Sequence, residues 1–278
     1  MNIILGIDVG GSTTKIVGLK HDGTLLSTMM VRAYDQITSL YGALGNYINS
    51  NGFSLSDVDR IYITGVGASY LVGDIYGIPT TRIEEFSATA RGGLALANTH
   101  EAVVVSMGTG TAFIHANYKQ YSHIGGSGVG GGTIIGLGRR LTGSTDFESI
   151  CTLAETGQLH NVDLTVGDIS KNDIDKLGME ITAANFGNIC DYASDSDMAL
   201  GLINMVMQTI LTMAVFACRG LSVKKVILTG ALTQIHQLMD IIEMCRSLYP
   251  IEFIVPENAV FATAVGAALH YEDSCESS

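Results

Sequence analysis

The chain is short of charge, and of positive charge above all. Only 15% of its 278 residues are charged, and 15 lysines and arginines face 27 aspartates and glutamates, for a formal net charge of −12. Nucleic acid or an anionic membrane surface needs a basic face, which so few cations do not build, so neither partner is expected. The five cysteines (Cys151, Cys190, Cys218, Cys245, Cys275) are odd in number and form no C-x-x-C. That points to reduced thiols in a cytoplasmic setting rather than to disulfides or zinc. There is no H-E-x-x-H among the seven histidines, and no G-x-x-x-x-G-K-[ST], so a Walker-type phosphate loop is ruled out. No basic stretch precedes the first apolar run and Asp8 interrupts it, so no signal peptide is expected. Residues 198–218 are apolar enough to test as a membrane span. Their polar residues Asn204, Gln208 and Thr212 recur every four positions on one helical face, the pattern of a buried or interface helix.

What is present is a 47% hydrophobic composition, typical of a compact fold, and a length that allows one large domain or two packed lobes. The segment from Ile3 to Leu19 reads as strand, tight turn, strand, with Gly10 and Gly11 where the backbone must reverse. Exposed amides at the turn, the hydroxyls of Ser12 and Thr13 and the charge of Lys15 together suit phosphate oxygens. Asp8, a carboxylate closing an apolar strand, suits a hydrated Mg²⁺ beside those phosphates. A surface hairpin with a structural aspartate is the plain alternative. Residues 101–115 repeat the plan: laying Gly108 on Gly10 puts Thr111 on Thr13 and Ser106 on Asp8. Two such hairpins can clamp a phosphate chain between them, the mark of a duplicated, two-lobed phosphotransferase.

The order of elements agrees. Gly23 to Val31 continues as a third strand, and Ile37, Leu40, Tyr41, Leu44 and Ile48 space out a helix ending near Gly52. Strands are expected at 60–64 and 80–84. The order resembles one lobe of the actin, hexokinase and sugar-kinase class. A second lobe would restart at Glu101 and end with a strand at 225–228, a helix at 233–248, a strand at 252–255 and a helix at 259–270. The expected fold is therefore α/β, a two-lobed duplicated ribonuclease H-like fold with mixed sheets, divided into residues 1–100 and 101–278. Glu84 and Glu85 sit where the lobes join. They could be a simple preference of acids for a helix start, or one could be the general base that a hydroxyl-directed phosphotransferase needs. The glycine-rich stretch from Ser122 to Leu141 leads into a helix whose first amides would favour an anion. Residues 126–131 match G-x-G-x-x-G, but 141–145 is no strand, so a dinucleotide-binding fold is rejected.

Together these motifs resemble the type II pantothenate kinases, the eukaryotic-like or fumble-like family. The resemblance is carried by the segments 8–15, 85–86, 108–111, 130–137, 182–187 and 257–261, in family order along nearly the whole chain. The block Thr182-Ala183-Ala184-Asn185-Phe186-Gly187 is the most specific. The resemblance implies ATP-dependent phosphorylation of pantothenate, the first step towards coenzyme A, by a cytoplasmic homodimer using Mg²⁺. It also implies site residues: Glu85 as general base, and ATP contacts at Asp8, Val9, Gly10, Gly11, Ser12, Thr13, Thr14, Lys15, Thr109, Gly131, Gly132, Thr133, Ile134, Ile135, Phe147 and Ala231. Asp8 would face the metal, and Gly108, His123 and Thr182 the acceptor. His123 stands where the family usually has the arginine that binds the pantothenate carboxylate, so pantetheine or another hydroxyl compound is an alternative acceptor. Ala231 stands where a serine is common. An ATP-hydrolysing activator shares this class of fold, but no cysteine lies beside a glycine-rich loop to bridge an iron–sulfur cluster.

Overall fold

The computed structural model describes residues 2–171 and 178–272. In chain order its first half runs β1 (Ile3–Val9), β2 (Thr13–Lys20), β3 (Leu25–Arg32), α1 (Gln36–Ser50), β4 (Val58–Thr64), β5 (Thr80–Arg82) and α2 (Glu85–Leu96). There follow β6 (Glu101–Met107), β7 (Thr111–Asn117), β8 (Tyr121–Ser127), α3 (Gly131–Thr142) and α4 (Phe147–Ala154). An inserted segment holds β9 (Leu164–Thr165), α5 (Val166–Ile169) and β10 (Thr182–Ala184), and the rest is α6 (Asp195–Leu221), β11 (Lys225–Thr229), α7 (Leu238–Leu248), β12 (Glu252–Ile254) and α8 (Ala262–Leu269).

Every residue of β1 is buried. Leu5, Ile7 and Val9 pack under α1 on one face, while Ile4 packs against α8 on the other. A strand covered on both faces has no solvent side, which is why its apolar run is unbroken until Asp8. The first sheet has the order β3-β2-β1-β4-β5 and the second β8-β7-β6-β11-β12, each with three antiparallel strands followed by two parallel ones. The duplication extends to single residues. Thr64 pairs with Asp8 in the first sheet and Thr229 with Ser106 in the second. Each threonine is followed by a glycine of positive φ, +88° at Gly65 and +91° at Gly230.

The two halves exchange a helix contact. α2 lays Ala90 and Leu94 on Ala102, Val104, Ile114 and Ile227 of the second sheet, whereas α8 lays Ala264 and Ala268 on Ile4, Val17, Leu19 and Tyr62 of the first. Where these helices cross, a Cβ on Gly92 would lie 1.8 Å from the Ala262 carbonyl oxygen, and one on Gly266 would lie 1.8 Å from that of Ala88. A Cβ on Gly6 of β1 would lie 1.9 Å from the Ala264 carbonyl oxygen. The hydroxyls of Thr89 and Thr263 meet at 3.0 Å within the same crossing. Backbone touches backbone here.

Several boundaries differ from the sequence expectation. The helix expected at 233–248 starts only at Leu238. Before it Ala231–Gln234 forms a 3₁₀ turn that follows Gly230 at φ +91°, with Leu232 and Ile235 buried. The helix expected from 259 begins as a 3₁₀ turn after Asn258, whose φ is +61°, and is α-helical from Ala262. β5 stops at Arg82 because Glu84 caps α2. β8 occupies the first part of the glycine-rich stretch and carries His123 on an edge strand. α6 is long and apolar enough to cross a membrane by length and composition, yet 61% of its most apolar window is buried against the second sheet, α3, α4 and α7. Asn204, on its polar face, is buried.

The crossing makes a specific expectation. Gly92→Val or Gly266→Val forces the helices apart and lowers unfolding free energy by at least about 3 kcal/mol in urea melts, the upper end for overpacking. Gly45→Ala, in an exposed part of α1 where nothing lies within 4 Å of the new Cβ, should instead stabilise by about 0.5–1 kcal/mol.

Candidate active site

β1 and β2 are joined through Gly10, Gly11 and Ser12. The Gly10 amide closes the turn on the Thr13 carbonyl at 2.9 Å, and the Ser12 carbonyl accepts from the Ala33 amide. The exposed amides of Gly11 and Ser12 have no partner among the described residues, which is the arrangement an anion needs. Asp8 lies on the α2 and α8 face of the sheet, opposite Lys15, whose Nζ is 3.2 Å from Oδ2. Its Oδ1 accepts nothing among the described residues and lies against Gly65, where a Cβ would come within 2.6 Å of it. A positive φ and this approach both call for glycine at 65. Val9 and Thr14 pair on the opposite face with side chains fully buried, so they present only backbone to the hairpin tip.

The second hairpin repeats this with a difference. The Gly108 amide bonds the Gly110 carbonyl, and the amides of Thr109 and Gly110 are unpartnered among the described residues. The carbonyls of Gly108 and Thr109 accept from the amides of Gly131 and Gly132, both at 2.9 Å, while the Thr133 and Ile134 amides donate to Gly130. The first four amides of α3 are therefore taken, and the expectation of a free helix start for an anion is corrected. Those glycines serve close approach of chain to chain: a Cβ on Gly130 would lie 2.7 Å from the Thr109 carbonyl oxygen. Ile134 is in the core and Ile135 is half-buried. Ala231 joins this group, because Gly230 before it packs on Met107 and Leu232 after it lies against Gly131.

α2 enters the same region with its acids divided. The Glu84 carboxylate caps the helix, accepting from the Phe86 amide at 3.1 Å and the Ser87 amide at 2.7 Å. Glu85 takes no part in the cap and is half-buried. Burial pushes its carboxyl above the usual range, and the negative charges of Asp8 and then Glu84 push it further, with Lys15 opposing. Glu85 thus shares an electrostatic neighbourhood with Asp8 and Lys15. Beside it Phe86 stacks on His123, rings parallel with centroids 4.3 Å apart. Tyr121, two residues along β8 from His123, lies against Glu84, and burial with that negative charge raises its phenol.

Two expected positions lie apart from this cluster in their bonding. The Thr182 hydroxyl donates to Asp163 at 3.0 Å, and Asp163, fully buried, also accepts from the Phe186 amide, Asn185 and Asn204. None of the hydrogen bonds of Thr182 reaches either hairpin. Phe147 opens α4 and packs against the second-half core, next to Asp146, whose carboxyl the Ser149 amide and hydroxyl hold low with help from Arg32. A groove of about 550 Å³ along α4, lined by Asp146, Glu148, Ser149 and Leu153 among others, contains no hairpin residue. Sequence reading gives no role to Thr64 or Asp163, and takes Phe86 only as part of the family resemblance. The Thr-Gly pair after β4, repeated after β11, was the available signal for the first.

Known proteins resemble this chain in sequence and in fold. The sequence model of the Fumble family matches residues 95–269. The type II pantothenate kinase of Staphylococcus haemolyticus is 30% identical over 274 residues, covering 95% of this chain and 98% of that protein, and the one from Staphylococcus aureus is 26% identical over 280 residues, covering 95% and 97%. Among solved structures, the activator of 2-hydroxyisocaproyl-CoA dehydratase from Clostridium difficile with bound ADPNP aligns with a TM-score of 0.69 at 15% identity, over 99% of this chain and 96% of that one. A ROK family glucokinase from Streptomyces griseus, in complex with glucose and AMPPNP, aligns with a TM-score of 0.59 at 11% identity, over 96% and 98%. At such identities these structures establish the fold alone, the two-lobed α/β fold of the sugar-kinase class. With a family model spanning more than half of the chain and a relative 30% identical along almost all of it, the chain belongs to the Fumble family of type II pantothenate kinases.

Proposed function

We propose that the chain transfers the γ-phosphoryl group of ATP to the primary hydroxyl of pantothenate, the first step of coenzyme A synthesis, with Glu85 as general base. The observation that carries this is the division of labour between adjacent acids: Glu84 caps α2, and Glu85 is left uncapped beside Asp8 and Lys15 with its proton affinity raised. A base must be ionised at working pH yet hold a proton well enough to take one from an alcohol, and a raised carboxylate moves towards that balance. The acceptor comes from the activity named for the relatives.

On this reading the open amides of Gly11, Ser12, Thr109 and Gly110 and the Lys15 ammonium bind phosphate oxygens as charge shifts during transfer. Gly10, Thr13, Gly131, Gly132, Thr133 and the turn at Ala231 shape the walls, and Phe147 is assigned to the nucleotide with them. Mg²⁺ keeps most of its water and takes one or two carboxylates together with phosphate oxygens. Asp8, with Oδ1 free of donors, fits that demand. Among the described residues no group of three His, Cys, Asp or Glu could hold a metal unaided. Bound there, the cation would neutralise charge on the transferred group.

The Phe86–His123 stack, next to Glu85, forms the acceptor wall in this proposal, with Gly108 and Thr182 assigned to the same subsite. A partly charged imidazole binds a carboxylate less well than a guanidinium fork, which makes pantetheine a second candidate acceptor. The chain also acts as a cytoplasmic homodimer in this reading. The four described cysteines are free, and Phe216 on α6 and Met239 on α7 are large apolar side chains left exposed. An activator role is not favoured, since Cys151, Cys218 and Cys245 are buried in helices, with thiols pushed by desolvation up to about 11.

ADP release measured with pantothenate, pantetheine, N-acetyl sugars and no acceptor tests the reading directly; transfer to sugars but not to pantothenate would overturn it. Glu85→Gln should leave ATP affinity unchanged and cut turnover by about 10²–10⁴. The wild-type rate should rise with pH along a limb lying above the usual carboxylate range of about 4.3, and that limb should vanish in the variant. The stability sign is opposite. With the folded pKa above the unfolded one, ionised Glu85 costs stability at neutral pH, so Glu85→Gln melts higher there and the gain disappears as pH falls below the ordinary carboxylate range.

Asp8→Asn should raise the Mg²⁺ concentration needed for half-maximal rate, read by titrating Mg²⁺ at fixed ATP, while the Mg²⁺ curve of Glu85→Gln stays at the wild-type position. His123→Arg gains a charge-assisted bond to a carboxylate, so KM for pantothenate should fall by about 10- to 100-fold with KM for pantetheine unchanged. Equal changes for both acceptors would remove His123 from carboxylate recognition.

A further inference from the structure

We propose that Thr64 is a positioning residue for the reaction's divalent cation: its hydroxyl holds a water of the cation's hydration shell beside Asp8. The inference rests on the kinase reading above and assigns a residue that this reading does not use. Thr64 ends β4, is fully buried, and its hydroxyl has no hydrogen-bond partner among the described residues. A buried hydroxyl without a partner costs stability, and native proteins rarely tolerate one without use.

The duplicated half shows that the fold itself can satisfy a threonine here. Thr229, at the matching position, donates to the Val105 carbonyl of the neighbouring strand at 3.1 Å. The corresponding carbonyl in the first half belongs to Ile7, and Thr64 does not use it. Thr64 is instead paired in register with Asp8, and Asp8 with Lys15, so all three share the face turned towards α2. The next residue, Gly65, keeps the space in front of Asp8 Oδ1 clear. Oδ1 and the Thr64 hydroxyl are thus two unpartnered oxygens at one sheet position. A carboxylate oxygen plus a neutral hydroxyl suits a cation that retains its waters, the carboxylate meeting the hydrated ion and the hydroxyl fixing one of its waters. Thr14, the other threonine whose buried hydroxyl lacks a partner, is on the opposite face under α1 and is not part of this group.

The test compares wild type with Thr64→Val and Thr64→Ser as full chains without acceptor. Three quantities are read: apo melting temperature, ADP affinity without metal by calorimetry, and Mn²⁺ affinity at saturating ADP by electron paramagnetic resonance. Thr64→Val should melt above wild type, bind metal-free ADP equally, and bind Mn²⁺ about three- to ten-fold more weakly, the loss of one hydrogen bond. Thr64→Ser should restore Mn²⁺ affinity to within two-fold. Unchanged Mn²⁺ affinity in Thr64→Val would mean that the hydroxyl holds only a structural water, and would overturn the proposal. Failure of Thr64→Val to fold, or equal loss of metal-free ADP binding, would show a structural role and overturn it as well. Because no acceptor is present, absence of phosphoryl transfer to pantothenate would defeat the acceptor assignment and leave this result standing.

Discussion

The crossing of α2 and α8 is the contact on which the rest of the molecule depends. Each helix belongs by sequence to one half and packs on the sheet of the other, and the two meet with no side chain between them at Gly92 and Gly266. Helices normally stand 8–10 Å apart according to the side chains at their contact, and glycine in both removes that spacer. Two consequences follow for the chemistry. The start of α2, and with it Glu85, is carried at a height over β1 set by backbone contact, and the gap between the two hairpins is set by the same crossing. Asp8 and Glu85 come from different elements, and their mutual repulsion registers how closely those elements are held.

Polar groups in the site are divided between holding the fold and facing a ligand. Glu84, the carbonyls of Gly108 and Thr109, and the hydroxyl of Thr111, which donates to Val129, are used within the protein. The amides at both hairpin tips, Asp8 Oδ1 and the Thr64 hydroxyl are not. Asp163 shows the other extreme: a fully buried carboxylate with four donors arranged around it, which ties the segment 182–186 to α6. A buried anion requires that degree of satisfaction. Three residues of the most family-specific sequence block, Thr182, Asn185 and Phe186, are thereby committed to one internal carboxylate.

Much of this was legible from residue order. Unbroken apolar runs ending in glycine turns located β1, β2, β6 and β7, and the alignment of Gly10 with Gly108 anticipated the doubled sheet. The three- and four-residue spacing of Leu40, Leu44 and Ile48 located α1. Other features have no local signature. α8 is almost entirely alanine, valine and glycine, so no apolar stripe reveals which sheet it covers. Glu84 and Glu85 are chemically equivalent as letters, and only cap geometry separates them. Glycine is ambiguous by nature: at 130–132 it admits a neighbouring chain where a ligand was expected, and at 65 it clears space before a carboxylate.

The exchange of helices also bears on how the chain is made. The face of the first sheet formed by Ile4, Val17, Leu19 and Tyr62 is complete once β4 has emerged from the ribosome, yet its cover, α8, is the last helix described. Roughly two hundred residues of synthesis, at about 5–20 residues per second, separate the two events. For those ten seconds or more a flat apolar surface stays open to other nascent chains. The small-residue composition of α8 then suits a late arrival, since a narrow, smooth helix can slide into a preformed groove without rearranging its walls.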